Sequence, residues 1–218
     1  MDLALFDLDE TLICEDTASL WLLWLVSQGY ADDAIVRQDE ALMQRYYQGT
    51  LQMEEYMDTL LAPIAGKATL TVDGWVRRFI QRDILPRVYP AALARLQFHQ
   101  QRGDTLLVIS ANGDHLVSPI ARQLGAHGAL AIGMEVVNDC YTGKTQGTFT
   151  YQQGKVARLR EWQAQHPELR FNHIWAYSDS HNDLPMLALA DFPHAINPDA
   201  ALEQQALSRG WPVWRWTK

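Results

Sequence analysis

Two acids, Asp7 and Asp9, flank one leucine in Asp7-Leu8-Asp9-Glu10-Thr11, directly behind the apolar run Leu3-Ala4-Leu5-Phe6. An apolar run cut off by charge reads as a buried strand over residues 3–7 that releases two carboxylates onto one side of a turn. Paired acids repel each other unless a cation or a proton relieves them. The pair suits a Mg2+ site in which one acid attacks phosphorus and the other shuttles a proton. Two further apolar runs end the same way. Residues 105–109 lead into Ser110, and residues 173–177 lead into Ser178 and Asp179, with Asp183 four residues on. Lys155 stands behind Gly154 at the start of a predicted helix.

The elements that must position these groups follow from the rest of the pattern. Residues 16–85 read almost wholly as helix. Asp16 or Thr17 caps a first helix running to about Gly29, and Asp32 or Asp33 starts a second that passes Tyr47 and ends at Gly49. A third helix runs from Met53 to about Leu61, and a fourth covers 72–83 and is closed by Pro86 and Pro90. Beyond Pro90 the rhythm changes to alternation. Helices are predicted at 91–102, 114–124, 155–166, 183–190 and 199–208, with strands at 105–109, 173–177, 193–196 and 212–216. Residues 129–151 hold short strand-like pieces separated by Gly143 and Gly147, a β-excursion. Strands alternating with helices predict a parallel sheet with right-handed crossovers. In such sheets ligands bind outside the carboxyl ends of the strands, so these polar groups meet at one rim. The helical block is too long for one crossover. It reads as a cap at 16–85 inserted into a core made of 1–15 and 86–218.

Size and composition set bounds. The 218 residues suffice for one α/β domain with an inserted lobe. Hydrophobic residues make up 48% and charged residues 20%, a globular profile. The formal net charge of -8 argues against nucleic acid or an anionic membrane surface as partner. Two cysteines, Cys14 and Cys140, form no zinc spacing and no disulfide framework. The apolar run at 20–26 is seven residues long, against about 20 for a membrane span, so it reads as a helix packed inside the cap. With no secretory signal visible, the expected location is the cytoplasm.

The constellation resembles the haloacid dehalogenase (HAD) phosphatase superfamily. Its Asp-x-Asp-x-Thr motif stands here as Asp7-Leu8-Asp9-Glu10-Thr11, its strand-ending Ser or Thr as Ser110, its Lys as Lys155, and its acidic loop as Asp179-Ser180-His181-Asn182-Asp183. A helical cap between the first two motifs is similar to the phosphoserine-phosphatase branch. The stretches 47–51, 118–122, 177–185, 196–199 and 209–213 resemble a histidinol-phosphatase-like group within it. The implied fold is α/β, a Rossmann-like parallel sheet with an inserted α-helical C1-type cap.

The resemblance also implies roles. Asp7 attacks phosphorus and becomes an aspartyl-phosphate, while Asp9 protonates the leaving alcohol and then deprotonates water. Asp7, the backbone carbonyl of Asp9, and Asp179 bind Mg2+, and Asp183 orients that shell. Ser110 and Lys155 bind phosphate oxygens, and the N–H groups of Leu8 and Ala111 are further donors. Asp16 occupies about the place of a cap Glu that meets the substrate amine in phosphoserine phosphatases. No Arg stands in Tyr56-Met57-Asp58-Thr59-Leu60, where those enzymes place a carboxylate-binding Arg. The expected protein is a monomer or homodimer acting on a small phosphorylated metabolite, histidinol phosphate or another amino-alcohol phosphate. The alternatives are a phosphoserine phosphatase, a phosphotransferase on the same scaffold, and a non-catalytic phosphoryl-ligand sensor. Plainer readings stand beside these: Asp16 and Asp183 as helix caps, Thr11 as a turn residue, His181 as a surface residue, and Trp211, Trp214 and Trp216 as edge packing or a dimer contact.

Overall fold

Leu3, Ala4, Leu5 and Phe6 are fully buried on both faces of strand β1 (Leu3–Phe6), as expected of a central parallel strand. It lies between β2 (Thr105–Gly113) and β5 (Ile174–Ser178), parallel to both, with Phe6 opposite Val108 and Tyr177. A computed structural model describes residues 1–47 and 50–218. Gln48 and Gly49, where the second helix is predicted to end and which belong to the resembling stretch 47–51, lie outside the described residues.

The remaining strands are β3 (Gly128–Val137), β4 (Cys140–Gln146), β6 (Phe192–Ile196) and β7 (Val213–Trp214). The sheet order is β4-β3-β2-β1-β5-β6-β7. Every neighbouring pair is parallel except β3 with β4. That pair is a hairpin turned at Asn138 and Asp139, whose φ values are 50° and 59°. Two consecutive positive φ angles are what a two-residue type I′ turn requires. The predicted β-excursion is therefore two full strands, and the sheet is mixed rather than wholly parallel.

Among the described residues four α-helices lie between β1 and Pro90, ahead of the helix that leads into β2: α1 (Thr17–Ser27), α2 (Ala34–Tyr47), α3 (Met53–Leu61) and α4 (Thr69–Phe79). The fourth begins earlier than predicted and is prolonged by a π-helical turn, Ile80–Ile84. The outgoing and returning chains pair as an antiparallel bridge between Ile13 and Val88. Tyr89 N–H donates to Leu12 O at 3.0 Å beside it. The cap also leans on the hairpin, with Gly66 N–H donating to Tyr141 O at 2.7 Å and Thr69 N–H to Asp139 O at 2.8 Å.

Helices α5 (Pro90–Arg102), α6 (Asp114–Gln123), α7 (Gln153–Gln165), α8 (Leu184–Leu189) and α9 (Ala200–Arg209) complete the chain. One face of the sheet, including Ala4, Phe6 and Val108, shares a core with α5, α6 and the cap. The other face, including Leu3, Leu5 and Ile109, packs on α7, α8 and α9. Apolar nearly all round, α1 is buried accordingly, with Trp21 and Trp24 stacked at 5.2 Å. Among the described residues no helix is long and apolar enough to cross a membrane. Trp214 and Trp216 pack at the sheet edge against His194 and Tyr89, and Trp211 lies beneath the Arg209 guanidinium.

Candidate active site

At the end of β1 the chain turns sharply. Leu8 is fully buried and its carbonyl accepts from Leu12 N–H at 2.9 Å and Ile13 N–H at 3.2 Å. Glu10 takes a left-handed conformation, φ 55°. With Leu8 anchored inward, Asp7 and Asp9 are presented on the rim. At β2 the register against β3 slips, because Ile109 pairs with Leu130 but Gly113 with Ile132, four residues facing two. Such a bulge lifts the chain out of the sheet and re-aims side chains. It delivers Ser110 and Asn112 to Asp9.

The Asp9 carboxylate accepts three hydrogen bonds. Thr17 N–H, the first amide of α1, donates to Oδ1 at 2.7 Å. Asn112 Nδ2 and Ser110 Oγ donate to Oδ2 at 2.8 Å and 3.3 Å. Lys155 reaches in from the first turn of α7, where its Nζ donates to Asp7 Oδ1 and Asp183 Oδ2, both at 2.7 Å. Ser178 Oγ donates to the same Asp183 oxygen at 2.7 Å. Asp183 Oδ2 thus holds both Lys155 and Ser178. Thr11 is fully buried and donates to Asp179 Oδ1 at 3.0 Å, so it does more than shape a turn. Asp199 N–H donates to Asp179 O at 2.8 Å, and His181 is exposed with Nδ1 2.8 Å from Asp199 Oδ2.

The glycine before Lys155 has a steric reason. A Cβ on Gly154 would run into the Phe149 carbonyl oxygen. Gly154→Ala is expected to lower stability by about 1–3 kcal/mol, read as a reduced melting temperature, since backbone on one side must give way.

These groups border a cavity of about 330 Å3. The core contributes Asp7, Asp9, Ala111, Asn112, Lys155, Asp179 and Asp183, and the cap contributes Asp16, Met43, Tyr46, Met53 and Tyr56. Every residue singled out as a candidate in the sequence lies in or beside it: Asp16, Ala111 and Asp179 line it, and Ser110 stands behind Asp9. Asp16 also caps α1, accepting from Ser19 N–H at 2.7 Å, so the helix-cap reading is met in a residue that also lines the cavity. Asn112, Asn182 and the cap Tyr and Met residues were not anticipated. Asn112 carried a signal, since it lies two residues past Ser110 and so shares its side of an extended chain.

Negative charge dominates the cavity. Burial pushes the Asp7 carboxyl up to about 6, with Lys155 pulling it down and Asp183 pushing it up. Burial, then Asp16, then Asp7 raise Asp9 well above the usual carboxylate range. Asp179 is raised in the same way by burial, Asp7 and Asp183. Burial alone would lower the Lys155 pKa, but Asp183 and Asp7 outweigh it and the pKa rises. Among the described lining residues Lys155 is the one Lys or Arg, so the acids are undercompensated. The donors are all oxygens. Among the described residues no group of three or more His, Cys, Asp or Glu side chains is arranged to hold a metal ion. The oxygen donors of Asp7 and Asp179 are of the hard kind that Mg2+ takes, one or two carboxylates at a time with water and substrate phosphate beside them.

Comparison with known proteins agrees with the geometry. The family model described as haloacid dehalogenase-like hydrolase matches residues 4–188. A histidinol-phosphatase of Neisseria meningitidis serogroup C (strain 8013) is 36% identical over 216 residues, covering 97% of each chain. A solved structure of a protein of unknown function from Bordetella pertussis Tohama I is 33% identical, with a TM-score of 0.90 over 98% of this chain and 97% of that one. A substrate-bound phosphoserine phosphatase shares the fold at 18% identity, with a TM-score of 0.70 over 98% of this chain and 92% of the other.

Proposed function

Because the chain belongs to the haloacid dehalogenase-like hydrolases and is a phosphatase of that family, we propose that it hydrolyses a small phosphomonoester through an aspartyl-phosphate on Asp7, with Mg2+ as cofactor. The observation that carries this reading is the division of labour between the two acids. Asp7 is gripped by a buried ammonium at 2.7 Å, while two residues on Asp9 is held by the first amide of the cap.

In this reading an Asp7 carboxylate oxygen forms a bond to phosphorus as the bond from phosphorus to the substrate alcohol breaks. Asp9 gives its proton to the departing oxygen. Burial and the neighbouring acids favour its protonated form beforehand. A water then attacks the phosphorus of the acyl phosphate, Asp9 takes its proton, and Asp7 is regenerated with release of phosphate. Lys155, Ser110 Oγ and the Ala111 N–H receive phosphoryl oxygens, and Asp183 positions Lys155. Asp7, Asp179 and the Asp9 carbonyl would hold Mg2+, which when bound supplies charge neutralisation at the phosphoryl group.

The proposed domains are a core of 1–15 and 86–218 and a cap of 16–85, with the cap closing the cavity over the leaving group. A substrate carboxylate would find no second Lys or Arg among the described lining residues. An amine would find Asp16. The substrate class is therefore an amino-alcohol phosphate, with histidinol phosphate, the compound named for the Neisseria relative, as the first to try. Phosphate release is to be measured on histidinol phosphate, phosphoserine, sugar phosphates and nucleotides, with Mg2+ or with EDTA. The amino-alcohol phosphate is expected to give the highest kcat/KM. EDTA is expected to stop turnover and added Mg2+ to restore it. Full activity in EDTA would exclude the metal, and a preference for phosphoserine would exclude the amino-alcohol.

A further inference from the structure

Helix α2 presents a stripe toward the interior at Ile35, Asp39, Leu42, Met43 and Tyr46, the spacing of one helical face. Four of the five suit an interior; Asp39 does not. It is 4% exposed, and neither a Lys nor an Arg pairs with it among the described residues. An uncompensated carboxylate in that position is costly unless something relieves it. One oxygen is accounted for, since Oδ2 accepts from Ser19 Oγ at 2.6 Å. The other, Oδ1, is buried and has no partner among the described residues.

The direction in which this face points is set by its neighbours. Met43 and Tyr46, one and two turns further along α2, line the cavity. Ser19 ties the two acids together, because its hydroxyl donates to Asp39 and its amide to Asp16 Oδ1 at 2.7 Å. Asp16 lines the cavity beside Tyr56. Burial pushes the Asp39 carboxyl up to about 6, with the Ser19 bond pulling it down and Asp16 pushing it up. It is still ionised in mildly alkaline buffer. Among the described residues the cap end of the cavity is lined by Asp16, Tyr46 and Tyr56 with no Lys or Arg beside them, and the buried Asp39 stands behind that wall, linked to Asp16 through Ser19.

We propose that Asp39 is a specificity-determining residue of the cap, acting through Ser19 on Asp16, and that the linked acids select phosphomonoesters whose far end carries a protonated nitrogen. This rests on the phosphomonoesterase reading above and adds a residue and a mechanism to it. A tie between α1 and α2 needs only the oxygen that Ser19 uses. The second oxygen, without a partner among the described residues, leaves that charge uncompensated one hydrogen-bonded link from Asp16, the acid that faces the cavity.

The test compares two substrates of one shape, 4-aminobutyl phosphate and n-pentyl phosphate, which differ in having an ammonium or a methyl group at the far end. The intact protein with Mg2+ is expected to prefer the amine. Asp39→Asn is expected to reduce the ratio of the two kcat/KM values by about tenfold or more, through KM for the amine rather than kcat, and Asp39→Glu to restore part of it. Should Asp39→Asn not fold, Ser19→Ala, which removes the linking hydroxyl, is expected to lower the same ratio. An unchanged ratio in these variants overturns the proposal, as does an equal loss on both substrates, which marks Asp39 as structural only. A protein that hydrolyses both substrates equally well before mutation overturns this inference alone. One that releases phosphate from neither overturns the phosphatase reading and this inference with it.

Discussion

Asp7→Asn is expected to reduce phosphate release by at least about 10^4-fold in kcat, while the protein still folds. The amide keeps the shape of the side chain and an oxygen for Lys155 Nζ, which donates to Asp7 Oδ1 at 2.7 Å. It removes the negative oxygen that attacks phosphorus. The sign of the accompanying stability change distinguishes lost chemistry from lost structure. Burial pushes Asp7 from 3.8 up to about 6, Lys155 opposing and Asp183 assisting. A carboxyl whose pKa is raised on folding is better tolerated protonated than ionised. Its charge therefore weakens the native state progressively as pH rises from about 4 to about 6, and the full penalty stands above that window. Asn carries no such charge. In metal-free buffer the melting temperature of Asp7→Asn, relative to the unmutated protein, should improve between pH 4 and pH 8. The measurements are phosphate release with Mg2+ and thermal melts at both pH values. Near-normal turnover would remove Asp7 as the nucleophile. Inactivity with a collapsed melt at pH 8 would assign it a structural role instead.

The residues that such experiments address divide by how they reach the site. Asp7, Lys155, Asp179 and Asp183 were legible because each follows a local signal: an apolar strand ending in charge, or a Gly–Lys at a helix start. Parallel topology then requires strand ends to share a rim, and β1, β2 and β5 do lie side by side. Asn112 has the local signal of lying two residues past Ser110, but its reach to Asp9 depends on the bulge between Ile109 and Gly113, a feature of pairing with β3. The pattern assigns Asp183 to the metal's surroundings, and packing adds Lys155 and Ser178 as its partners. Hydrogen-bond partners far apart in sequence are chosen by packing. The cap is the extreme case. Helix periodicity located α1 to α3 well, yet which faces of α2 and α3 meet over the cavity is decided by tertiary contact. Tyr46, brought to Asn182 Nδ2 at 3.0 Å, and Tyr56 were accordingly out of reach. The hairpin was half legible. Gly143 and Gly147 marked broken strands, while Asn138 and Asp139 held the turn that joins β3 to β4.

Lys155→Met should be damaging in two separable ways. Lys155 is 3% exposed and its ammonium bridges Asp7 and Asp183 at 2.7 Å each. Removing the one cation of a buried cluster leaves carboxylates facing one another in a poorly solvated place. Breaking a buried pair from one side typically costs about 3–5 kcal/mol. Met replaces most of the volume, so the loss reports charge rather than a cavity. The pH dependence again has a definite sign. Lys155 is what pulls Asp7 down against burial, so without it the Asp7 carboxyl titrates above about 6. Below that pH both proteins carry a protonated Asp7 and their difference shrinks. Above it the unmutated protein has paid the whole ionisation penalty, whereas the penalty in the variant continues to grow. The stability deficit of Lys155→Met should therefore be largest near pH 8 and shrink as pH falls through 6, in metal-free melts. Activity should not follow that recovery. Lys155 is proposed to meet a phosphoryl oxygen, and loss of a buried charged donor at the reacting group is expected to lower kcat by about 10^2- to 10^3-fold or more. Measured at pH 6, where the stability deficit is smaller than at pH 8, turnover should still be lost. Recovery of activity together with stability would mean that Lys155 serves only to neutralise Asp7 and Asp183.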